Sequence, residues 1–317
     1  MYHYLYKVQY LQYQWSNKRK FSSKVESKLD PYYVTGLCDA ESSFSVSIIK
    51  KNNKYYPKLI FKLNLHNRDK FLLEKLVKFF GVGKIYNNQS SSCQLVFQTL
   101  AELGVIIDHF NNYPLVSKKL ADFKFFAQAF VLFKAKKHLT EEGLQEIVNL
   151  RASMGIGLSE ELITQFPNTK PVERPVVEIQ EIPSPHWVAG FSEGDGSFTV
   201  RTRKSDSYKL GYSIFLGYIV TQDIRDSALM GSLVNYFNCG GYSISTDKDS
   251  CEYHVYKTND IIDIIIPFFK ANSLHGTKAL DFADFCEAAE IIKAKGHLTE
   301  EGLNQILDIK ATMNKGR

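Results

Sequence analysis

Val34-Thr-Gly-Leu-Cys-Asp-Ala-Glu-Ser-Ser-Phe44 returns, 154 positions on, as Val188-Ala-Gly-Phe-Ser-Glu-Gly-Asp-Gly-Ser-Phe198. Each copy is an apolar run with helical character. It ends in two acids two residues apart, followed by Ser-Phe and a strand-like stretch. The echo continues along the chain. Arg68-Asp69, followed by Leu72, Leu76 and Phe80, resembles Arg225-Asp226, followed by Leu229, Leu233 and Phe237. Leu115, Lys119 and Asp122-Phe123 match Leu274, Lys278 and Asp281-Phe282. His138-Leu-Thr-Glu-Glu-Gly-Leu144 returns unchanged as His297–Leu303. Offsets of 154, 157 and 159 point to two copies of one domain with small loop insertions, since solenoid repeats are far shorter.

Within one copy the pattern predicts a helix over 31–40, with Asp30 as N-cap and Pro31 in its first turn. Alternation predicts strands over 44–50 and 58–65. A helix over 69–80 is closed by Gly81 and Gly83, and a second hairpin spans 84–87 and 94–99. Helices follow over 102–110, 117–135 and 140–153. Residues 155–182 carry Pro167, Pro171 and Pro175 and read as a linker. The expected division is a basic arm at 1–29, a first repeat at 30–154, the linker, and a second repeat at 183–317. The fold class is α+β, with two pseudo-symmetric αββαββα-type repeats, each carrying an antiparallel sheet.

Composition narrows the classes. The chain has 317 residues, 44% of them hydrophobic, and a formal net charge of +5. That is enough for two packed domains. The arm holds Lys7, Lys18, Arg19, Lys20, Lys24 and Lys28 against Glu26, and the rest of the chain is formally neutral. Polyanion binding by the body therefore requires charge segregated onto one face. The arm's composition fits a transit peptide, a disordered arm or a translated leader. Five widely spaced cysteines form no CxxC pair, so neither a zinc site nor a disulfide framework is indicated. No apolar run reaches transmembrane length.

The motif carries the chemistry. Gly36 and Ala40, like Gly190 and Gly194, are four apart on one helix face. Small residues there let two helix backbones approach closely about a pseudo-two-fold axis. Glu41 and Asp195 then emerge together at helix carboxyl ends, where anions are disfavoured and two carboxylates repel. A divalent cation resolves both conflicts. Oxygen ligands favour Mg²⁺ completed by water and phosphate oxygens, a combination suited to phosphodiester hydrolysis. The bland alternative is that Asp39, Glu41, Glu193 and Asp195 only cap helix ends in solvent. His138 and His297, in identical settings at a helix start, read as structural.

Counting by two from each motif selects one face of each sheet. The first gives Ser43, Ser45, Ser47 and Lys51, then Lys58, Lys62 and Asn64, then Gln94 and Gln98. The second gives Ser197, Thr199, Arg201, Arg203 and Ser205, answered by Tyr253 and Lys257. Polar and basic residues fill this face and apolar ones the other. Such a ribbon can enter a major groove, with Arg201 and Arg203 the foremost base or phosphate contacts.

With these motifs the chain resembles a single-chain, two-repeat LAGLIDADG homing endonuclease of the fungal mitochondrial intron-encoded type, over about residues 31–317. The resemblance implies that the two sheets form a saddle on double-stranded DNA. It implies metal-dependent cleavage of a long asymmetric target with 3′ overhangs, by a monomer, in mitochondria and away from membranes. Glu41 and Asp195 would bind the metal, which is Mg²⁺, replaceable by Mn²⁺ and held without cleavage as Ca²⁺. Lys119 and Lys278 would stand near the scissile phosphates. Gln222 matches a polar residue near the attacking water, whereas Leu65 stands at the first-copy position and Ser42 replaces the motif's last glycine. These departures imply unequal cleavage of the two strands. A maturase acting on its own intron RNA, or a cleavage-inactive DNA-binding protein, are the alternatives on the same frame.

Overall fold

The structure, a computed structural model, describes residues 28–88, 91–155, 157–177 and 181–314. The arm expected at 1–29 therefore lies almost wholly outside the described residues.

The first repeat runs α1 (Pro31–Glu41), β1 (Ser42–Lys51), β2 (Lys54–His66), α2 (Lys70–Phe80), β3 (Lys84–Asn87), β4 (Ser92–Phe97), α3 (Leu100–Asn112), α4 (Lys119–Lys134) and α5 (Glu141–Ala152). A short α6 (Glu160–Gln165) follows within the linker. The second repeat runs α7 (Pro185–Asp195), β5 (Gly196–Lys204), β6 (Tyr212–Asp223), α8 (Ser227–Phe237), β7 (Gly241–Ser245) and β8 (Ser250–Val255). It ends with a helical run α9 over 258–271, then α10 (Lys278–Lys293) and α11 (Glu300–Thr312). The α+β class and the duplication are as the sequence implies. Within α9 a π-helical stretch, Ile261–Ile265, precedes Pro267, whose missing N–H leaves an ordinary helical bond unmade.

Each sheet is antiparallel, in the orders β1-β2-β4-β3 and β5-β6-β8-β7. Asn52 and Asn53 join β1 to β2 at positive φ of 50° and 57°, a turn that asparagine tolerates. Local chemistry fixes the helix starts. Asp30 and Ser184 accept from the N–H groups of Tyr32 and His186, and Thr99 with Glu102 forms a capping box on α3.

One continuous core runs through both repeats, because α1 and α7 stand between them. These two helices are almost wholly buried and cross in backbone contact. A Cβ added at Gly36 would lie 2.1 Å from the Trp187 carbonyl oxygen, and one at Gly190 would lie 2.0 Å from that of Tyr33. At Gly194 it would lie 2.3 Å from the Ala40 methyl. The small-residue face read from the sequence is thus a helix–helix contact with no room for a methyl group.

The linker strap packs along the first repeat. Glu161 of α6 pairs with Lys50 at 3.1 Å and accepts from the Tyr55 hydroxyl at 3.2 Å, and Phe166 sets its ring edge-on to Tyr55. The end of the β1–β2 hairpin is thereby held from behind. His138 stacks on Phe133 at 4.2 Å, which supports its structural reading.

Replacing Gly36 or Gly190 with alanine is expected to cost more than about 2 kcal/mol by overpacking against rigid backbone. Gly104→Ala in α3, whose nearest foreign atom would be a Phe130 ring carbon of α4 at 3.8 Å, is expected to be neutral or to stabilise by up to about 1 kcal/mol. Chemical denaturation of the three variants checks the contrast.

Candidate active site and nucleic-acid interface

Glu41 and Asp195 end α1 and α7, and the helix crossing brings the two ends side by side. The Glu41 carboxyl lies over Gly194, with Oε1 3.3 Å from where a Cβ of that glycine would stand. Both acids are half-buried. Burial raises both carboxyls. At Asp195 the charge of Glu41 adds to burial and carries the group to about 7, against the pull of Lys119, Lys278 and a hydrogen bond from Gln222. The Gln222 amide donates to Asp195 Oδ2. The sheet registers show why the first site differs. Leu65 stands opposite Cys93 on the β2–β4 ladder just as Gln222 stands opposite Cys251 on β6–β8, and a leucine has no amide to offer Glu41.

Lys119 and Lys278 reach the same helix ends from α4 and α10. Lys119 Nζ donates to the carbonyls of Cys38 at 3.0 Å and Ala40 at 3.2 Å. Lys278 Nζ donates to Ser192 at 3.0 Å, to Gly194 at 2.8 Å, and to Gly196. Each ammonium therefore sits at the negative end of a motif helix and adds a charged donor to its terminal carbonyls, of which Cys38 and Ser192 also accept from the capping N–H groups of Ser42 and Gly196. Burial lowers both amines, and the surrounding carboxylates oppose that shift.

The first acid of each motif has a different place, which the sequence did not reveal. Asp39 is buried and accepts from the N–H groups of Val116 and Ser117, the Ser117 hydroxyl and Trp187 Nε1 at 2.8 Å. Glu193 is its counterpart, accepting from His275 N–H at 2.7 Å, Gly276 N–H at 2.9 Å and the Tyr33 hydroxyl at 2.9 Å. Each holds the entry to α4 or α10 in its own repeat and is held in turn by an aromatic donor from the other. Asp69 and Asp226 complete the pattern from the opposite repeat, accepting from Thr277 N–H at 2.7 Å and Lys118 N–H at 2.8 Å. The repeated Arg-Asp pair thus marks a cross-repeat helix cap. Asp39 and Glu193 do cap helix ends, but those of other helices and deep in the interior, not in solvent as the bland reading has it.

Two carboxylates, one from each repeat, suit a divalent ion completed by phosphate oxygens and water. Among the described residues no group of three His, Cys, Asp or Glu side chains forms a closed cage. The helix-end carbonyls are occupied by lysine, and Glu41 and Asp195 are the side chains that could hold such an ion.

The first sheet face is as read. Ser43, Ser45 and Ser47 oppose Lys62, Ile60 and Lys58, and Asn64 opposes Gln94, with Lys51 at the strand end. Gln98 lies just past β4. Lys84 and Tyr86 of β3, opposite Val96 and Gln94, join this face and were missed. In the second sheet Ser197, Thr199, Arg201 and Arg203 share one face, opposite Ile219, Gly217, Phe215 and Ser213. Ser205 lies beyond β5, in a turn where its N–H donates to Gly211.

Tyr253 and Lys257 require correction. Cys251 occupies the place of Cys93, so the repeats are offset here by 158 rather than 159, and a slip of one residue exchanges the faces of a strand. Tyr253 is fully buried, its hydroxyl donating to Cys239. Lys257 falls beyond the strand and pairs with Asp260 at 3.1 Å. The residues on the open face are instead Glu252, His254 and, one step past the strand, Tyr256.

This arrangement of crossed acidic helices flanked by two four-stranded sheets has known relatives. The sequence profile of the LAGLIDADG endonuclease family matches residues 34–130 and 188–289. The chain belongs to the LAGLIDADG endonuclease family. Membership makes it a hydrolase that cuts DNA at specific sites, an endonuclease of the homing type. It is 37% identical over 309 residues to probable intron-encoded endonuclease 2 of Neurospora crassa, covering 92% of this chain and 67% of that one. It is 34% identical over 300 residues to probable intron-encoded endonuclease 3 of the same fungus, covering 92% of this chain and 56% of the relative. The LAGLIDADG homing endonuclease I-SmaMI, solved bound to cleaved DNA, superposes with a TM-score of 0.90 at 40% identity, over 92% of this chain and 98% of its own. I-CpaMI, solved bound to uncleaved DNA, superposes with a TM-score of 0.86 at 40% identity, over 90% and 99%.

A LAGLIDADG chain free of metal should carry an electrostatic cost at this site that pH reveals. The Asp195 carboxyl is raised from 3.8 to about 7. Its ionisation in the folded state therefore removes stability as pH rises from about 4 to about 7, a loss complete above that window. In metal-free buffer the stability of wild type relative to Asp195→Asn should fall across this range and then level off. Divalent ions should restore it most above pH 7. Thermal melts of both proteins across pH, with and without Mg²⁺, measure the difference.

Proposed function

We propose that this chain cleaves both strands of a long, asymmetric DNA site. One strand would be cut in each half of a shared centre built on Glu41 and Asp195, leaving 3′ overhangs. The observation that carries the reading is the meeting of these two acids, one from each repeat, beneath two sheet faces lined with polar and basic side chains. DNA is the partner in which the related structures are solved, one of them with cleaved product.

Glu41 and Asp195 would hold Mg²⁺, which when bound supplies charge neutralisation at the scissile phosphate and acidifies water. A relative was solved on uncleaved DNA in the presence of calcium ions, which supports Ca²⁺ as a binding but non-cleaving ion. Mn²⁺, which favours the same carboxylate and water ligands, would substitute for Mg²⁺. Gln222 would orient a water beside Asp195 through the amide that touches the carboxylate. Lys119 and Lys278 would do two things: neutralise the helix ends, so that two acids can approach, and face the developing phosphate charge. I-SmaMI was also solved with two lysines, 159 positions apart, changed together to alanine, and Lys119 and Lys278 have the same separation.

A monomer suffices, because the two repeats supply both halves of the site. Relatives named for introns of cox1 and ND4 support a mitochondrial setting. Intron RNA is the second ligand to test, on the strength of the basic 1–29 arm. Rescue of splicing by a cleavage-dead variant would establish it.

Glu41→Gln and Asp195→Asn should each reduce double-strand cutting of a plasmid bearing the intronless target by about a hundredfold or more, while leaving DNA bound in Ca²⁺. Gel analysis of supercoiled, nicked and linear forms reads the result. Cutting that survives either change rejects the ligand assignment.

A further inference from the structure

The corrected register of β8 places an acid on a surface otherwise suited to a polyanion. Glu252 sits in the rung Thr221–Glu252–Ser243, next to the rung Ser197–Ile219–His254–Gly241. It does not hang free in solvent. The Tyr256 hydroxyl donates to its Oε1 at 3.3 Å, and His254 Nδ1 stands 3.6 Å from the same atom. The His254 ring stacks on Tyr256, with centroids 5.0 Å apart and planes at 24°. The Arg201 guanidinium lies 5.7 Å from the centre of the same tyrosine ring. Gly217 makes room for the ring: a Cβ there would stand 3.0 Å from a Tyr256 ring carbon and 2.8 Å from Thr199 Oγ1. The result is a column of His254, Tyr256 and Arg201 in which the ring contacts seat Tyr256, and its hydroxyl holds the Glu252 carboxyl before any ligand arrives.

We propose that Glu252 is a base-reading residue, which selects a cytosine in the half of the target under the second sheet by accepting from its N4 amino group in the major groove. This rests on the DNA-cleaving reading above. The chemistry is restrictive. A carboxylate only accepts hydrogen bonds, so it gains nothing from phosphate and is repelled by it. In the major groove only cytosine and adenine present donors. Adenine sets the N7 acceptor beside its amino group, facing a carboxylate with a repulsive partner, whereas cytosine presents the donor without it. Both protein contacts to the carboxyl fall on Oε1, which leaves Oε2 to accept from a base. The first sheet has no equivalent. Its matching positions are Gln94, Val96, Gln98, Ser47 and Ile60, none of them charged.

The test selects bound sites from a randomised duplex library in Ca²⁺ buffer, using the full chain as wild type, Glu252→Gln and Tyr256→Phe, and sequences the products. Wild type should require cytosine at one base pair of the second-sheet half, by about tenfold to a hundredfold over other bases. Glu252→Gln should lose that preference at that base pair alone. Tyr256→Phe, which keeps the ring and loses the hydroxyl, should weaken it in part. An unchanged preference profile for Glu252→Gln, or tighter binding spread evenly over all sequences, overturns the proposal and leaves the endonuclease reading standing. A wild-type chain that enriches no sequence at all overturns both.

Discussion

Everything in this molecule hangs on the contact between α1 and α7, where two backbones approach without an intervening side chain. Gly36 and Gly190 each face a carbonyl of the opposite helix at a distance that excludes a methyl group. This closeness is what delivers Glu41 and Asp195 to one place. It also sets two electrostatic problems, since like charges converge at helix ends that already carry negative potential. Lys119 and Lys278 answer the second by donating to the end carbonyls. The first remains: burial, with the charge of Glu41 added to it, raises the Asp195 carboxyl, and the convergence of two acids in one place is the physical argument for a cation.

A second set of acids holds that geometry in place. Asp39, Glu193, Asp69 and Asp226 each accept from helix-entry N–H groups, and Asp39 and Glu193 also accept from an aromatic donor across the interface. Burial alone would push the carboxyls of Asp39 and Glu193 upward, and the converging donors oppose it. Buried acids of this kind are tolerable only when fully satisfied, since each missing donor leaves an accepting group stranded in the interior. The two acids of each motif therefore separate by environment. The inner one ties helices together, and the outer one faces the open site.

Much of this was legible in the chain. The duplication, the helix face of small residues, the paired acids and the first sheet face follow from period and spacing, because those patterns are local. What was not legible depended on distance or on a count. The donors to Asp39 lie 77 to 148 positions away, and no local pattern encodes them. The register of β8 turned on an offset of 158 where 159 had served elsewhere in the repeat. A strand has a period of two, so that single step moved Tyr253 into the core and brought Glu252, His254 and Tyr256 to the surface. Helix α6 escaped notice because a six-residue segment just before Pro167 has too little periodicity to register.

The reciprocal caps have a consequence for how the molecule can be rebuilt. At each helix entry one of the two acids and the aromatic donor come from the other repeat, so neither repeat is a self-sufficient module. A chimera that joins one repeat to a foreign partner must bring along matching residues at Tyr33 or Trp187 and at Asp69 or Asp226. Without them it would strand a buried acid beneath its own active centre. The outer sheet faces carry no such obligation. Recombination of specificities is therefore freest strand by strand across the sheets, and most constrained at the seam between the halves.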